Sequence, residues 1–144
     1  MQHEQRLTFR LLSYWNRIRT DKAMPALTDV KIHEIAEIWH FSFTMDVSKA
    51  TNEHFFQYFG PGLANIFGED FNGSNAALAL QESAYLSNTI GFYDKVVSSA
   101  TPQTESSSFF MEGKEVRYRS LIVPLSSDGK TVDYVMGTTN YKIF

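Results

Sequence analysis

A chain of 144 residues suits one compact domain, since domains most often run about 100–150 residues. Its 43% hydrophobic and 20% charged residues give an ordinary globular balance, and a net charge of -3 offers no basic footprint for nucleic acid. The absence of cysteine excludes disulfides, thiolate metal ligands and cysteine nucleophiles, while no apolar run approaches the ~20 residues of a membrane span, so a cytoplasmic protein is expected.

Residues 5–19 predict an amphipathic helix. Leu7, Leu11, Tyr14, Trp15 and Ile18 recur at helical spacing, and Arg6, Arg10, Arg17 and Arg19 mark the other side. The apolar row is expected to pack on the domain or on its twin in a homodimer, and is assigned to a dimer interface. A basic amphipathic helix lying on a membrane surface is the alternative. With the linker to residue 27 this helix precedes a domain over residues 28–144, the two forming one structural unit.

A short helix is expected over residues 28–37, with Thr28 as N-cap and Ile32, Ile35 and Ile38 on its apolar side. Residues 38–46 alternate Trp39, Phe41, Phe43 and Met45 against His40, Ser42, Thr44 and Asp46, the pattern of a half-buried antiparallel strand. Residues His54 to Phe59 read as its hairpin partner, stopping at Gly60-Pro61-Gly62. A short helix carrying Leu63, Ile66 and Phe67 follows, and then a glycine-punctuated loop to Gly73. From Ser74, a candidate N-cap, to Ser98 the apolar spacing is helical, with a bend or break expected at Gly91.

The serine-rich stretch 98–108 is polar, yet it can enter a strand that reaches Phe109 to Met111, and Glu112-Gly113-Lys114 makes a turn. Residues 115–125 and 131–143 read as two long strands around Asp128-Gly129, a pair suited to a two-residue type I′ turn. That turn would set Leu125 opposite Val132, Val123 opposite Tyr134, Leu121 opposite Met136, Arg119 opposite Thr138 and Arg117 opposite Asn140. A one-residue slip would turn the apolar set away from the core. The order is α+β, with helices on one face of a five-stranded antiparallel sheet after an N-terminal helix.

These residues resemble the PAS domain, and within it the bacterial group of short PAS_5-like proteins. The resemblance is carried by Leu12 with Tyr14-Trp15, Met24-Pro25, the strand end from Phe56 to Gly60, Leu63 through Gly68, Asp70 to Gly73, and Val123-Pro124-Leu125-Ser126 with Val132, Asp133 and Gly137. It implies a sensory or protein-interaction module whose inner sheet face and covering helices can hold a small ligand. Residues 85–99 hold no histidine of the kind that ligates heme in oxygen-sensing relatives, and the missing cysteine removes covalent photochemistry, which leaves noncovalent flavin open. No kinase, cyclase or DNA-binding segment follows the last strand, so output is expected through contacts with an unidentified signalling protein.

The expected register carries one face from apolar to cationic. An arginine at its end, Arg119 or Arg117, beside Met136 and Thr138, is the candidate anchor for the carboxylate of a small organic acid. The alternative leaves both arginines in solvent or paired with Glu105, Glu112 or Glu115. Tyr58, Phe67, Tyr85 and Tyr93 are the further candidates for pocket lining, with plain core packing as the alternative. His3, His33, His40 and His54 show no metal-ligand spacing and are read as surface residues. No catalytic residue is nominated, although a small isomerase-like enzyme using an α+β pocket is a second class. A third reading is a ligand-free adaptor whose core is filled by its own aromatics.

Overall fold

The structure, a computed structural model, describes residues 2–144, with side chains described from residue 7 onward; the side chains of His3 and Arg6 lie outside that range. The elements are α1 (Gln2–Arg19), α2 (Ala36–His40), β1 (Ser42–Asp46), β2 (Phe55–Phe59), α3 (Pro61–Phe67), α4 (Ala76–Glu82), α5 (Ala84–Ile90), α6 (Tyr93–Ser99), β3 (Gln103–Met111), β4 (Lys114–Leu125) and β5 (Tyr134–Ile143). The five strands form one antiparallel sheet in the order β2-β1-β5-β4-β3.

Local chemistry explains where the elements depart from the periodicity. The helix expected over 28–37 is two 3-10 turns, Leu27–Asp29 and Ile32–Glu34, before α2. The Lys31 backbone N–H donates to the Tyr14 hydroxyl at 2.8 Å and not to a helical carbonyl, which stops a continuous helix. Trp39 belongs to α2, because its N–H closes a helical turn onto the Ile35 carbonyl at 2.7 Å, so β1 starts only at Ser42. The long helix expected from Ser74 is three short ones. Asn75, not Ser74, caps α4, and Ser83 adopts an extended conformation and caps α5 by accepting from the Leu86 N–H. Gly91 ends α5 as expected.

The hairpin register differs by two residues from the expected one. Leu125 faces Tyr134, Val123 faces Met136, Leu121 faces Thr138, Arg119 faces Asn140 and Arg117 faces Lys142. Asp128-Gly129 is not a two-residue turn, since only Gly129 takes positive φ, at 78°. The Asp128 carboxylate accepts from the N–H groups of Lys130 and Thr131 and from the Ser126 hydroxyl, each at 2.8 Å, which organises a longer loop. A two-residue shift preserves side-chain parity, so the apolar row stays on its face. The type I′ geometry is found one connection earlier, where Glu112 (φ 52°) and Gly113 (φ 78°) join Met111 to Lys114.

The sheet has two covered faces. On one, Phe43, Ile122 and Gly137 meet the helical layer α3 to α6, with Phe56, Phe59, Phe71, Leu86 and Ile90 all buried in the same core. On the other lies α1: the Trp15 indole N–H donates to the Pro124 carbonyl at 2.8 Å, and Asn140 donates to the Thr8 hydroxyl at 3.2 Å. Leu7, Leu11, Tyr14 and Trp15, expected at a dimer interface, are buried against the chain's own structure, and Ile18 packs beside them. A sheet face of Leu121, Val123 and Met136 needs an apolar cover, and α1 supplies it within one chain. A partner cannot reach those four side chains while the helix is seated.

Candidate functional site

The crevice between the sheet and α3 to α6 is packed with rings. Phe43 lies edge-on to Phe56 with centroids 5.7 Å apart, Phe56 to Phe59 at 5.4 Å and Phe59 to Phe71 at 5.3 Å. All four are less than 2% exposed. The series continues to the rim, where Phe67 stacks on half-buried Tyr85 at 5.6 Å, Tyr85 meets Phe109 at 5.6 Å, and Phe109 leans on Tyr118 at 5.9 Å. Short helices separated by Ser83 and Gly91 let the helical layer follow the twisted sheet closely enough to seat these rings.

The eight predicted ligand residues fall in three places. Phe67 and Tyr85 are at the crevice rim. Tyr93 is buried at the start of α6, where its hydroxyl lies 2.8 Å from His54 Nδ1, while His54 Nε2 lies 3.0 Å from the Lys49 carbonyl. A carbonyl only accepts, so neutral His54 carries its proton on Nε2 and takes the Tyr93 O–H on Nδ1. His54, read as a surface residue, is therefore a buried strut between the β1–β2 connection and α6. Burial pushes the Tyr93 hydroxyl pKa above its ordinary value, and the Asp94 charge adds to the effect.

The remaining five lie on the α1 face. Met136 is fully buried, and Thr138 donates to the Phe41 carbonyl at 2.7 Å. Tyr58 stacks on Trp39 with centroids 4.1 Å apart and donates to its carbonyl at 2.9 Å; burial raises its pKa. Arg117 and Arg119 are exposed. Arg117 pairs with Glu115 at 3.2 Å and lies 4.2 Å over the Phe144 ring, and Arg119 donates to Ser106 Oγ at 3.1 Å. The arginines thus point away from the crevice, for the reason that strand alternation puts positions 117 and 119 opposite 118 and 120. They cannot anchor an acid inside it.

A cleft of about 400 Å³ lies elsewhere, lined by Leu7, His40, Phe41, Pro61, Asn65, Ile66 and Tyr141 among others. It opens just before the start of β1, where β5 continues alone, since their pairing stops at Ser42 and Thr138. Gly62 shapes one wall: a Cβ there would come within 2.4 Å of the Phe41 ring. No periodicity joins these segments, and the sole sequence signal is the Gly60-Pro61-Gly62 break between strand and helix.

The PAS_5 family, described as a PAS domain, matches residues 1–140, and the chain belongs to it. Solved structures of similar fold include a light-oxygen-voltage domain studied with a flavin analogue, at 15% identity over 77% of this chain and 83% of that one, with a TM-score of 0.54. The LOV protein of Rhodobacter sphaeroides matches at 12% identity over 78% and 68%, with a TM-score of 0.52. The LOV domain of a blue-light-activated histidine kinase from Erythrobacter litoralis matches at 15% over 69% and 93%, with a TM-score of 0.50. No curated protein matches the chain. These likenesses show the fold alone, and among the described residues no helix is long and apolar enough to cross a membrane.

Proposed function

We propose that this chain is a regulatory PAS module that works through protein contacts, with its interior filled by its own aromatic side chains. The observation that carries this reading is the unbroken packing of Phe43, Phe56, Phe59 and Phe71, each under 2% exposed. Interiors packed in this way leave no room for a further ring system without displacing side chains. One neighbour in fold was studied with a flavin analogue, but a planar flavin in this crevice would have to expel these phenylalanines, so the residues present do not fit it. The isomerase-like alternative needs a free general base in the pocket. The one buried histidine among the described residues, His54, has both ring nitrogens engaged.

A second reading keeps a small ligand and moves it to the cleft beside His40. Its volume of about 400 Å³ suits a small molecule, and His40 and Asn65 would face a carboxylate across walls of Phe41 and Ile66. Native mass spectrometry with an absorption spectrum of the purified protein separates the two. The filled-core reading expects the mass of the polypeptide alone and no absorption in the visible. A retained small molecule overturns it, and a visible flavin spectrum would do so most directly.

A further inference from the structure

The sheet ends on two edge strands, β2 and β3, and the fold treats their outer backbone groups differently. Along β2 the edge is covered. The Phe56 N–H donates to the Ser74 carbonyl at 3.0 Å, the Gly73 N–H donates to the Phe56 carbonyl at 2.8 Å, and the Asn72 side chain bonds both the N–H and the carbonyl of Phe59 at 2.9 Å. Along β3 nothing comparable is present among the described residues, and no strand lies beyond it. Its nine residues pair with β4 without a register break, and they include no proline and no lysine. Bulges, prolines and edge lysines are the usual devices that keep such an edge from taking on another strand, and β3 carries none of them.

The side chains around this edge select what could pair there. On the α1 side of the sheet the β3 row is Thr104, Ser106, Ser108 and Phe110, backed on β4 by Leu121, Arg119, Arg117 and Glu115. Ser106 and Ser108 are short and exposed, and Arg119 already reaches across to Ser106 Oγ at 3.1 Å. Its guanidinium therefore hangs over the edge strand, and among the described residues it meets no carboxylate within ion-pair distance. A strand added at the usual spacing of about 4.8 Å beyond β3 would lie within its reach. Phe110, 73% exposed, continues the same row and offers an apolar contact. On the opposite face the only charge in β3, Glu105, lies 3.9 Å from Lys95.

We infer that the β3 edge is a docking site for an extended peptide of a partner protein, added as a sixth antiparallel or parallel strand, with acidic side chains set against Arg119 and Arg117 and an apolar one against Phe110. This inference rests on the protein-contact reading above and names the partner's chemistry. A second copy of the chain is the poorer occupant. Paired about a two-fold axis, two β3 edges would bring the arginines of both copies to one side of the joined sheet, and the β3 row between them supplies no acid. The main chain gives such an interaction its affinity, and the alternate side chains give it selectivity.

The test uses a fluorescently labelled synthetic peptide of about ten residues alternating glutamate and valine, long enough to span a strand of this length. Anisotropy is expected to show saturable binding that weakens with added salt. The double substitution Arg117→Glu with Arg119→Glu should weaken it about tenfold or more, as reversal of close charge pairs does. Both positions are exposed, and unchanged circular dichroism and melting would show that the variant is folded. Two further peptides, N-methylated at alternate residues in the two phases, decide whether the backbone is used: at least one must lose binding. No binding of the parent peptide, undiminished binding of both methylated peptides, or binding of a lysine–valine peptide as tight as the parent's would each overturn the inference. So would a dimer in sedimentation that Ser107→Pro dissociates, because the edge would then belong to a second copy. A failed peptide with a ligand-free native mass removes the edge site and leaves the protein-contact reading standing, whereas a retained small molecule removes that reading whatever the peptide does.

Discussion

Replacing Gly137 with alanine probes how full the crevice is. Gly137 lies opposite Phe43 in the β1–β5 pairing, and a Cβ built on it would stand 2.6 Å from Phe43 Cε1, 2.9 Å from Cζ and 3.0 Å from Ile122 Cγ1. Contacts that short require something to move. Phe43 is 1% exposed and backed by Phe56, and Ile122 is fully buried, so neither has a free direction. Overpacking a well-filled core destabilises by about 1–3 kcal/mol. In a domain of this size each kcal/mol lowers the melting temperature by roughly 2–4 °C. Gly137→Ala is thus expected to melt about 2–12 °C lower, with native-like secondary structure by circular dichroism. Adding Phe43→Leu, which opens space beside the new methyl, should make the double variant more stable than the sum of the two single losses. A melting point within about 1 °C of wild type would refute the reasoning, because it would mean Phe43 swings aside into open space and the interior is a vacant pocket.

Leu11→Ala should cost about 2–5 kcal/mol in chemical denaturation, and its effect should not depend on protein concentration, since Leu11 is 1% exposed within its own chain. A loss that shrinks as concentration rises would return the row Leu7, Leu11, Tyr14 and Trp15 to a dimer interface. Tyr93→Phe leaves His54 Nδ1 buried without its donor and is expected to destabilise by about 1–3 kcal/mol. Nitrogen NMR of the wild type should show neutral His54 protonated on Nε2, and the other tautomer would contradict the strut geometry. Asp128, held at about 2 against an ordinary 3.8 first by the Thr131 N–H, then by the Lys130 N–H and the Ser126 hydroxyl, stabilises the folded loop only while ionised. Its contribution is complete above pH about 4 and disappears as pH falls toward about 2. The difference in urea midpoint between wild type and Asp128→Asn should shrink across that window, and a constant difference would argue against the loop's role.

Much of the fold was readable because it depends on neighbours in sequence. The spacing of Leu7, Leu11, Tyr14 and Trp15 determines a helix with one apolar side, the alternation from Phe43 to Met45 a strand, and Gly91 a break. The side-chain parity of β4 and β5 survived a two-residue error in register, because an even shift leaves every residue on its face. Elements decided by single long-range bonds were not readable. Tyr14 caps Lys31 across 17 residues and breaks a helix that local spacing favours. Asp128 gathers three donors around itself, and so a dipeptide suited to a tight turn becomes part of a wider loop.

The candidate sites divide in the same way. Sequence by itself determined which residues are apolar, aromatic or cationic, and that Arg117 and Arg119 share a face with Leu121 and Val123. It could not say which of the two faces the helices α3 to α6 would cover and which α1 would cover, because either choice buries an apolar row. The tertiary structure decided that α1 closes over Met136 and Val123, that the rings of Phe43, Phe56, Phe59 and Phe71 fill the other side, and that the arginines end beside an open strand edge. Packing in three dimensions settles such questions, since a side chain's periodicity records only that it is buried or exposed, and its partner is chosen by shape and by the chain's connections.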